Sequence, residues 1–367
     1  MRVLIVSGIW PPDVGGPASH APEVAEFLLG RGHSVEVVTT ADAPPVPREY
    51  RVRWASREHA PGIRHLEAAA LIRERARKND VVYSTGMLGR TALGSVTARR
   101  PFVAKLTQDP AFERALRRRQ FDGDPVQFQT SSAARLLRAA RDQELRRARH
   151  VVCPSAFLAG LVRGWGVPED RISVLPNPTP PVPPLPERAR GERPLLAFAG
   201  RMTAPKALGV ALEAVVQVPE VELALAGDGD ERAALEARAH ELGLDGRVRF
   251  LGPLPRAEVL ALFRQADAAL LSSSWENFPH TLVEALAVGT PAIATNVGGV
   301  AEIVTDGENG LLVAPGDPAA LADAIRRFLS DDELRARLSA AAAPSAERFS
   351  PDRIYGRLEE ILARAAA

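Results

Sequence analysis

The segment PNPTPPVPPLP, residues 176–186, decides how the chain is read, because seven of its eleven residues are proline. Proline lacks a backbone N–H and fixes its own φ, so neither a helix interior nor a central strand runs through such a stretch. It reads as a stiff connection between two folded halves. Upstream of it, short β-rich apolar runs recur: VLIVS at 3–7, VEVVTT at 35–40, VVYST at 81–85, PFVAKL at 101–106 and HVVCPS at 150–155. Downstream the rhythm restarts with LLAFAG at 195–200, VELALAG at 221–227, RVRFLG at 247–252, AALLSS at 268–273, PAIAT at 291–295 and GLLV at 310–313. Stretches rich in Ala, Leu, Arg and Glu at helical spacing lie between them. Strands that are apolar throughout need both faces covered, which predicts largely parallel sheets flanked by helices. The expected fold class is α/β, with two doubly wound domains facing each other across a cleft. Their expected bounds are 1–175 and 194–367, with a proline-rich linker over 176–193. A terminal helix at 351–365 is a candidate to pack back on the first domain.

Composition narrows the function classes. A chain of 367 residues that is 46% hydrophobic and 25% charged suits a soluble two-domain protein rather than a disordered one. Its one cysteine, Cys153, forms no intrachain disulfide and supplies no multi-thiolate metal site. MRVLIVSGIW at 1–10 is too short an apolar run for a signal peptide before Pro11, Pro12 and Asp13 intervene. No apolar run reaches the roughly 20 residues that span a bilayer. A cytoplasmic location is therefore expected. The formal charge of +1 hides an asymmetry: residues 1–185 carry 27 Lys and Arg against 18 Asp and Glu, whereas residues 186–367 carry 19 against 27. The basic half suits an anionic acceptor, lipid headgroups or nucleic acid. Zinc-finger spacing and aromatic-rich basic strands are missing, so nucleic acid is not an expected partner.

Ligands of doubly wound sheets sit beyond the carboxyl ends of strands, beside helix N-termini, and several segments there carry suitable chemistry. Gly15 and Gly16, in PPDVGG after the first strand, permit backbone approach to a phosphate or sugar, or form a plain turn. GRMTAPK at 200–206 brings Arg201 and Lys206 to one strand-to-helix turn, where a guanidinium fork and an ammonium suit a diphosphate. A solvated helix cap is the alternative. SSSWENFPHTLVEALAVGTP at 272–291 holds Glu276 and Glu284 eight positions apart. Pro279 suits the first helical position, which would leave amides near Thr281 and Leu282 free for phosphate oxygens. Glu284, farther along that helix, has acceptors for a ribose diol, and Glu276 in the loop has acceptors for sugar hydroxyls. GDGDE at 227–231 places Gly227 and Asp228 at another turn, able to admit a base or phosphate or simply to shape the turn.

GRMTAPKALG, GDGDE, RFLG, SSSWENFPHTLVEALAVGTPAIATNVGGVAEIV and GLLVAPGD, in that order, resemble the retaining, nucleotide-sugar-dependent glycosyltransferases of the group-1 or family-4 class. PPDVGG and WGVPEDRISVLPNP extend the resemblance through nearly the whole chain. It implies the GT-B fold, two Rossmann-like domains, and a nucleoside diphosphate sugar as donor. It further implies that Arg201 and Lys206 hold the donor diphosphate, that Glu284 holds the ribose, that Glu276 lies beside the transferred sugar, and that Gly16 closes toward the phosphates. Glu302 in GGVAEI resembles a donor-side position. Many relatives place a histidine after the strand corresponding to PFVAKL; here TQDPAFERA places Asp109 instead. Asp109 is a candidate to bind hydroxyls or to deprotonate the acceptor, with helix capping as its alternative role.

The expected reaction is transfer of a sugar to an acceptor hydroxyl of a glycan, a lipid-linked sugar or a small molecule, with retained configuration. Two cationic side chains and helix amides meet the charge developing on the diphosphate, so no metal or other cofactor is expected. ERALRRR at 113–119 and RAARDQELRRARH at 138–150 offer cations for an anionic carrier lipid or peripheral membrane contact. A nucleotide-sugar epimerase and a non-catalytic nucleotide-sugar binder are the competing readings.

Overall fold

In a computed structural model that describes residues 1–13, 16–132, 134–187 and 191–367, the chain divides into two compact units. The first is Met1–Pro176 together with Ile354–Ala367, and the second is Asn177–Arg353. Gly15 lies outside the described residues, as do positions 188–190 of the proline-rich connection.

The first unit runs β1 (Arg2–Val6), α1 (Gly16–Gly30), β2 (Ser34–Ala41), β3 (Arg51–Ser56), α2 (Pro61–Ala76), β4 (Val81–Ser84), α3 (Leu88–Ala98) and β5 (Phe102–Lys105). It continues with α4 (Pro110–Arg117), α5 (Pro125–Thr130), α6 (Arg135–Arg146), β6 (His150–Cys153), α7 (Ala156–Gly164) and β7 (Ile172–Val174). Its sheet has the order β3-β2-β1-β4-β5-β6-β7, and neighbouring strands run parallel. β1, with Val3, Leu4, Ile5 and Val6 all buried, lies near the middle and is covered on both faces. Two edge strands were not legible from the apolar-run criterion. RVRWAS in β3 alternates exposed arginines with half-buried side chains, as an edge strand with one solvated side does, and ISV in β7 has only three residues.

The second unit runs β8 (Leu195–Ala199), α8 (Leu208–Val216), β9 (Glu222–Ala226), α9 (Arg232–Glu241), β10 (Val248–Gly252), α10 (Arg256–Gln265) and β11 (Ala268–Leu271). Then follow α11 (His280–Ala287), β12 (Ala292–Thr295), β13 (Gly310–Val313), α12 (Pro318–Ser330) and α13 (Asp332–Ala346). The parallel sheet order is β10-β9-β8-β11-β12-β13. The order reverses direction at β8, with β9 on one side and β11 on the other, and ligands of such sheets bind beyond the carboxyl ends of the strands at this switch point. Within the proline-rich segment, the Thr179 amide donates to the Phe349 carbonyl at 2.8 Å and Leu185 packs against the second unit's core. That stretch is thus anchored to the second unit.

The last helix, α14 (Pro351–Ala366), belongs from Ile354 onward to the first unit. Ile354, Tyr355, Leu358, Ile361, Leu362 and Ala365 recur at helical spacing and are buried with Val3, Ile5, Ala21 and Leu28. Each fully buried Leu or Ile of this stripe contributes about 1.5–3 kcal/mol relative to exposure. Polar ties orient the helix: Tyr355 Oη donates to Glu23 at 2.6 Å, and Glu359 meets His33 at 2.7 Å and Arg31 at 3.2 Å. Among the described residues, no helix is long and apolar enough to cross a membrane.

Candidate active site

The second unit gathers its loops at the carboxyl ends of β8, β9, β10 and β11 by backbone contact. The Gly200 amide donates to Ala226 at 2.9 Å, the Gly227 amide to Gly252 at 2.7 Å, and the Met202 amide to Asp228 at 2.8 Å. Such approach requires glycine at 227: its φ is +134°, and a Cβ there would lie 1.9 Å from the Gly200 carbonyl oxygen. Gly227 and Asp228 therefore act by shaping the floor. The Asp228 carboxylate is largely exposed, receives its neighbour's Gly229 amide at 2.8 Å and lies 4.0 Å from Arg232.

On this floor the turn after β8 is tied to the loop after β11. The Ser274 amide donates to Pro205 at 2.9 Å, Ser272 Oγ to the Lys206 carbonyl at 3.1 Å, and Lys206 Nζ meets Glu276 Oε1 at 2.5 Å. Ser273 Oγ donates to the same carboxylate oxygen at 2.8 Å. Glu276 is buried, whereas the Lys206 side chain keeps 23% exposure. An ammonium has three donors, so one carboxylate leaves capacity for an anion. Arg201 opens the same turn and is exposed; among the described residues no carboxylate lies within 4.0 Å of it. The structure thus brings Lys206 and Glu276 into contact and holds Arg201 on the same short loop.

Gly298 supplies the far wall. Its φ is +52°, a Cβ would lie 1.7 Å from the Glu276 carbonyl oxygen, and the Gly299 amide donates to that oxygen at 3.3 Å. Glu302 sits one turn on, in the 3-10 segment Val300–Glu302 that this approach positions. Ser272, Ser273 and Gly298 were not singled out from sequence. The run of three serines at a strand end was the available signal.

α11 departs from expectation in two details. Pro279 is the cap residue before the helix, with φ −72° and ψ 105°, and does not occupy the first helical position. The Leu282 amide is spent on the Pro279 carbonyl at 3.2 Å, a 3-10-type bond that tightens the first turn, so it is not free for a phosphate. Thr281 remains at the head of the helix. Glu284, largely buried, pairs with Arg256 at 3.2 Å on α10. Burial pushes its carboxyl above the ordinary range, and Arg256 opposes that rise.

Asp109 is committed elsewhere. As the cap of α4 it accepts from the Ala111 and Phe112 amides at 2.8 and 3.3 Å through Oδ1. Its Oδ2 accepts from Gln129 Nε2 at 2.9 Å and from Arg141 Nη1 at 2.5 Å. The ion pair is 2% and 1% exposed, and the Arg141 guanidinium stacks 3.7 Å from the Trp165 ring centroid. All four lone-pair sites are filled, so the expectation that Asp109 binds hydroxyls or takes a proton gives way to a structural role. Gly16 begins α1 in the first unit.

Two further cavities bear on the chemistry. One, about 870 Å³, lies at the amino ends of the second unit's strands, lined by Leu195, Glu222, Arg249 and Asp267 among others, at the end of the sheet opposite the Lys206–Glu276 pair. A second, about 770 Å³, opens in the first unit. Among the described residues, no three His, Cys, Asp or Glu side chains gather as a metal site.

Residues 14–181 match the model of Glycosyltransferase Family 4, and residues 186–344 match that of Glycosyl transferases group 1. A D-inositol 3-phosphate glycosyltransferase of Xylanimonas cellulosilytica is 37% identical over 225 residues, 56% of this chain and 54% of the relative. The chain thus spans about half the length of this curated relative. A glycogen synthase of Mycobacterium tuberculosis is 28% identical over 372 residues, covering 93% of this chain and 89% of the relative. Among solved structures, Anabaena Alr3699/HepE in complex with UDP-glucose superposes with a TM-score of 0.79 at 21% identity, covering 99% of this chain and 100% of that one. WaaG, a glycosyltransferase involved in lipopolysaccharide biosynthesis, gives 0.71 at 18% identity, with 99% of each chain covered. These likenesses establish the GT-B fold class, two Rossmann-like parallel-sheet domains.

Proposed function

The chain belongs to the group-1 and family-4 glycosyltransferases, and from that premise we propose that it transfers a sugar from a nucleoside diphosphate sugar to an acceptor hydroxyl with retained configuration. The observation that carries this reading is the Lys206–Glu276 pair, set where the loops after β8 and β11 meet, with an exposed Arg201 on the same short loop as Lys206. As the donor bond breaks, negative charge grows on the diphosphate. Lys206 and Arg201 meet that charge with preorganised donors, a contribution of about 3–4 kcal/mol per aimed group in comparable anion sites. Glu276, held by Ser273 and Lys206, accepts from hydroxyls of the transferred sugar. Glu284 accepts from the ribose, with Arg256 fixing its orientation, and Thr281 offers the helix head to a phosphate oxygen. Glu302 flanks the donor on the wall built by Gly298.

Departing phosphate assists the incoming hydroxyl on the same face of the sugar, so no protein nucleophile is needed. Two cationic side chains neutralise the leaving group, and a chelator is accordingly expected to leave transfer unchanged. The HepE structures that hold UDP and UDP-glucose support a nucleotide-sugar donor.

The test is a panel of nucleoside diphosphate sugars, read first by calorimetric binding and then by product analysis with candidate acceptors. Lys206→Ala and Glu284→Ala are each expected to lower kcat/KM for the donor by about 100-fold while leaving the melting profile intact. Donor binding without any transferred product would favour a binding protein, and a changed sugar without an acceptor would favour an epimerase.

A further inference from the structure

The cavity of the first unit is chemically lopsided. Arg64 and Arg90 from α2 and α3 and Arg114, Arg117 and Arg118 from the end of α4 line it, against one carboxylate, Glu144 of α6. Among the described residues none of these five guanidinium groups has a carboxylate within 4.0 Å, whereas the buried or half-buried Arg57, Arg75 and Arg141 each do. Arg64, Arg90 and Arg114 are half-buried. Among the described residues Arg64 Nε is buried without an acceptor while its Nη1 donates to the Arg57 carbonyl at 3.3 Å, and Arg90 is met by the neutral groups Met87 Sδ and His65 Nε2, both at 3.1 Å. Burial lowers the Arg90 guanidinium from its ordinary range, and the charges of Arg64 and Arg114 lower it further. Like charges collected in a concave, partly dehydrated place raise the free energy of the empty site. An exposed helix face would disperse them into solvent; this arrangement does not.

Position agrees with charge. Gly8 follows β1, Thr40 is the last residue but one of β2 and Met87 follows β4, and all three line this cavity, which therefore opens at the carboxyl ends of central strands. Glu144 does not neutralise it. Among the described residues its Oε2 is buried without a hydrogen-bond partner, it lies against the head of α3 where a Cβ on Gly89 would meet Oε1 at 2.5 Å, and burial pushes its carboxyl up against the opposing charges of Arg114 and Arg147, so one carboxylate faces five guanidinium groups. The Asp109–Arg141 network fixes this geometry, because Asp109 caps α4, which carries Arg114, and Arg141 lies one turn before Glu144 on α6. Leu66 and Leu93, 68% and 47% exposed, complete the lining with apolar surface.

We propose that this cavity binds the phosphate monoester of an anionic acceptor, with Arg64, Arg90 and Arg114 forking onto its oxygens and Arg117 and Arg118 steering it inward. The word acceptor rests on the transferase reading; the anion site does not. The phosphate is carried either by a soluble polyol or by a lipid headgroup, and the experiment separates these.

The intact chain is titrated calorimetrically with glucose 6-phosphate, inorganic phosphate and glucose, and sedimented with phosphatidylcholine vesicles with and without phosphatidic acid. Arg90→Gln and Arg114→Gln are each expected to weaken glucose 6-phosphate about tenfold, the loss of one charge-assisted hydrogen bond, and Arg90→Lys to recover part of it. Binding should weaken with salt, and glucose should not bind. If glucose 6-phosphate fails but phosphatidic acid vesicles retain the wild type and not the two variants, the phosphate is lipid-borne and the proposal stands. Glucose 6-phosphate binding no tighter than glucose, together with vesicle retention that is absent or indifferent to both variants, overturns it. UDP-glucose affinity, measured on the same samples, reports the donor reading separately.

Discussion

Asparagine at position 109 removes one charge and reverses one hydrogen-bonding polarity without changing shape. In the native chain Asp109 Oδ1 caps α4 through the Ala111 and Phe112 amides, and an asparagine oxygen keeps that cap. The Nδ2 that replaces Oδ2 faces two donors, Gln129 Nε2 and Arg141 Nη1. Arg141, 2% exposed, is then left with Asp142 at 2.7 Å and the Gln129 oxygen at 3.2 Å. Breaking a buried ion pair on one side costs about 3–5 kcal/mol, and the surviving Asp142 places this case near 3. For a unit of this size each kcal/mol moves the melting point by about 2–4 °C, so Asp109→Asn should lower the first unit's transition by roughly 10 °C. Asp109→Ala adds the lost cap, about 1 kcal/mol more. Differential scanning calorimetry measures both, and far-ultraviolet circular dichroism checks that the fold survives at low temperature. A compensated double variant, Asp109→Leu with Arg141→Met, should recover much of the loss, because removing both charges leaves none unpaired. The reasoning fails if Asp109→Asn melts within about 1 °C of the wild type yet loses turnover, since that pattern belongs to a proton-transfer group.

Gly298→Ala should damage the proposed donor site while sparing the first unit's melting transition. The left-handed φ costs about 1–2 kcal/mol for a residue with a Cβ, and the clash with the Glu276 carbonyl displaces the carboxylate proposed to face the sugar, which should lower transfer by about 10- to 100-fold; unchanged steady-state rates would contradict the wall assigned to this loop. Lys105→Met should stabilise the protein. Buried Lys105 reaches the Leu175 carbonyl at 3.5 Å, and burial lowers its ammonium from 10.5 to about 8, a penalty of about 3 kcal/mol in full below pH 8. Between pH 8 and 10.5 the unfolded chain holds the proton that the folded chain has released, so wild-type stability from this group rises with pH and the advantage of the methionine variant shrinks. Above pH 9 the buried Cys153 thiol, pushed up to about 12, acts in the opposite sense, so thermal melts of both proteins between pH 7 and 9 give the cleanest comparison. An advantage that stays constant over that range and up to pH 10 would contradict the assignment.

Apolar runs such as VLIVS and LLAFAG read directly as central strands, because a strand covered on both faces must be apolar along its length. RVRWAS escaped that reading, since an edge strand meets solvent and carries arginine. The motif proposed to hold the donor was legible as a string of glycines, Lys206 and two glutamates. Its local geometry was only partly so: Lys206 and Glu276 are 70 positions apart, and the bond between them depends on β8 lying beside β11.

What the sequence determined by itself is whatever the backbone imposes locally: the proline break, the strand and helix rhythm, and the turns that demand glycine. Asp109 marks a choice that long-range packing made. Asp-Pro before a helix is compatible with a cap or a base, and the choice was made by Arg141, 32 residues away, which buried the carboxylate and filled its last lone pairs. The basic cavity has the same origin, because Arg64, Arg90 and Arg114 come from three helices whose charges converge only once the sheet sets the helices side by side.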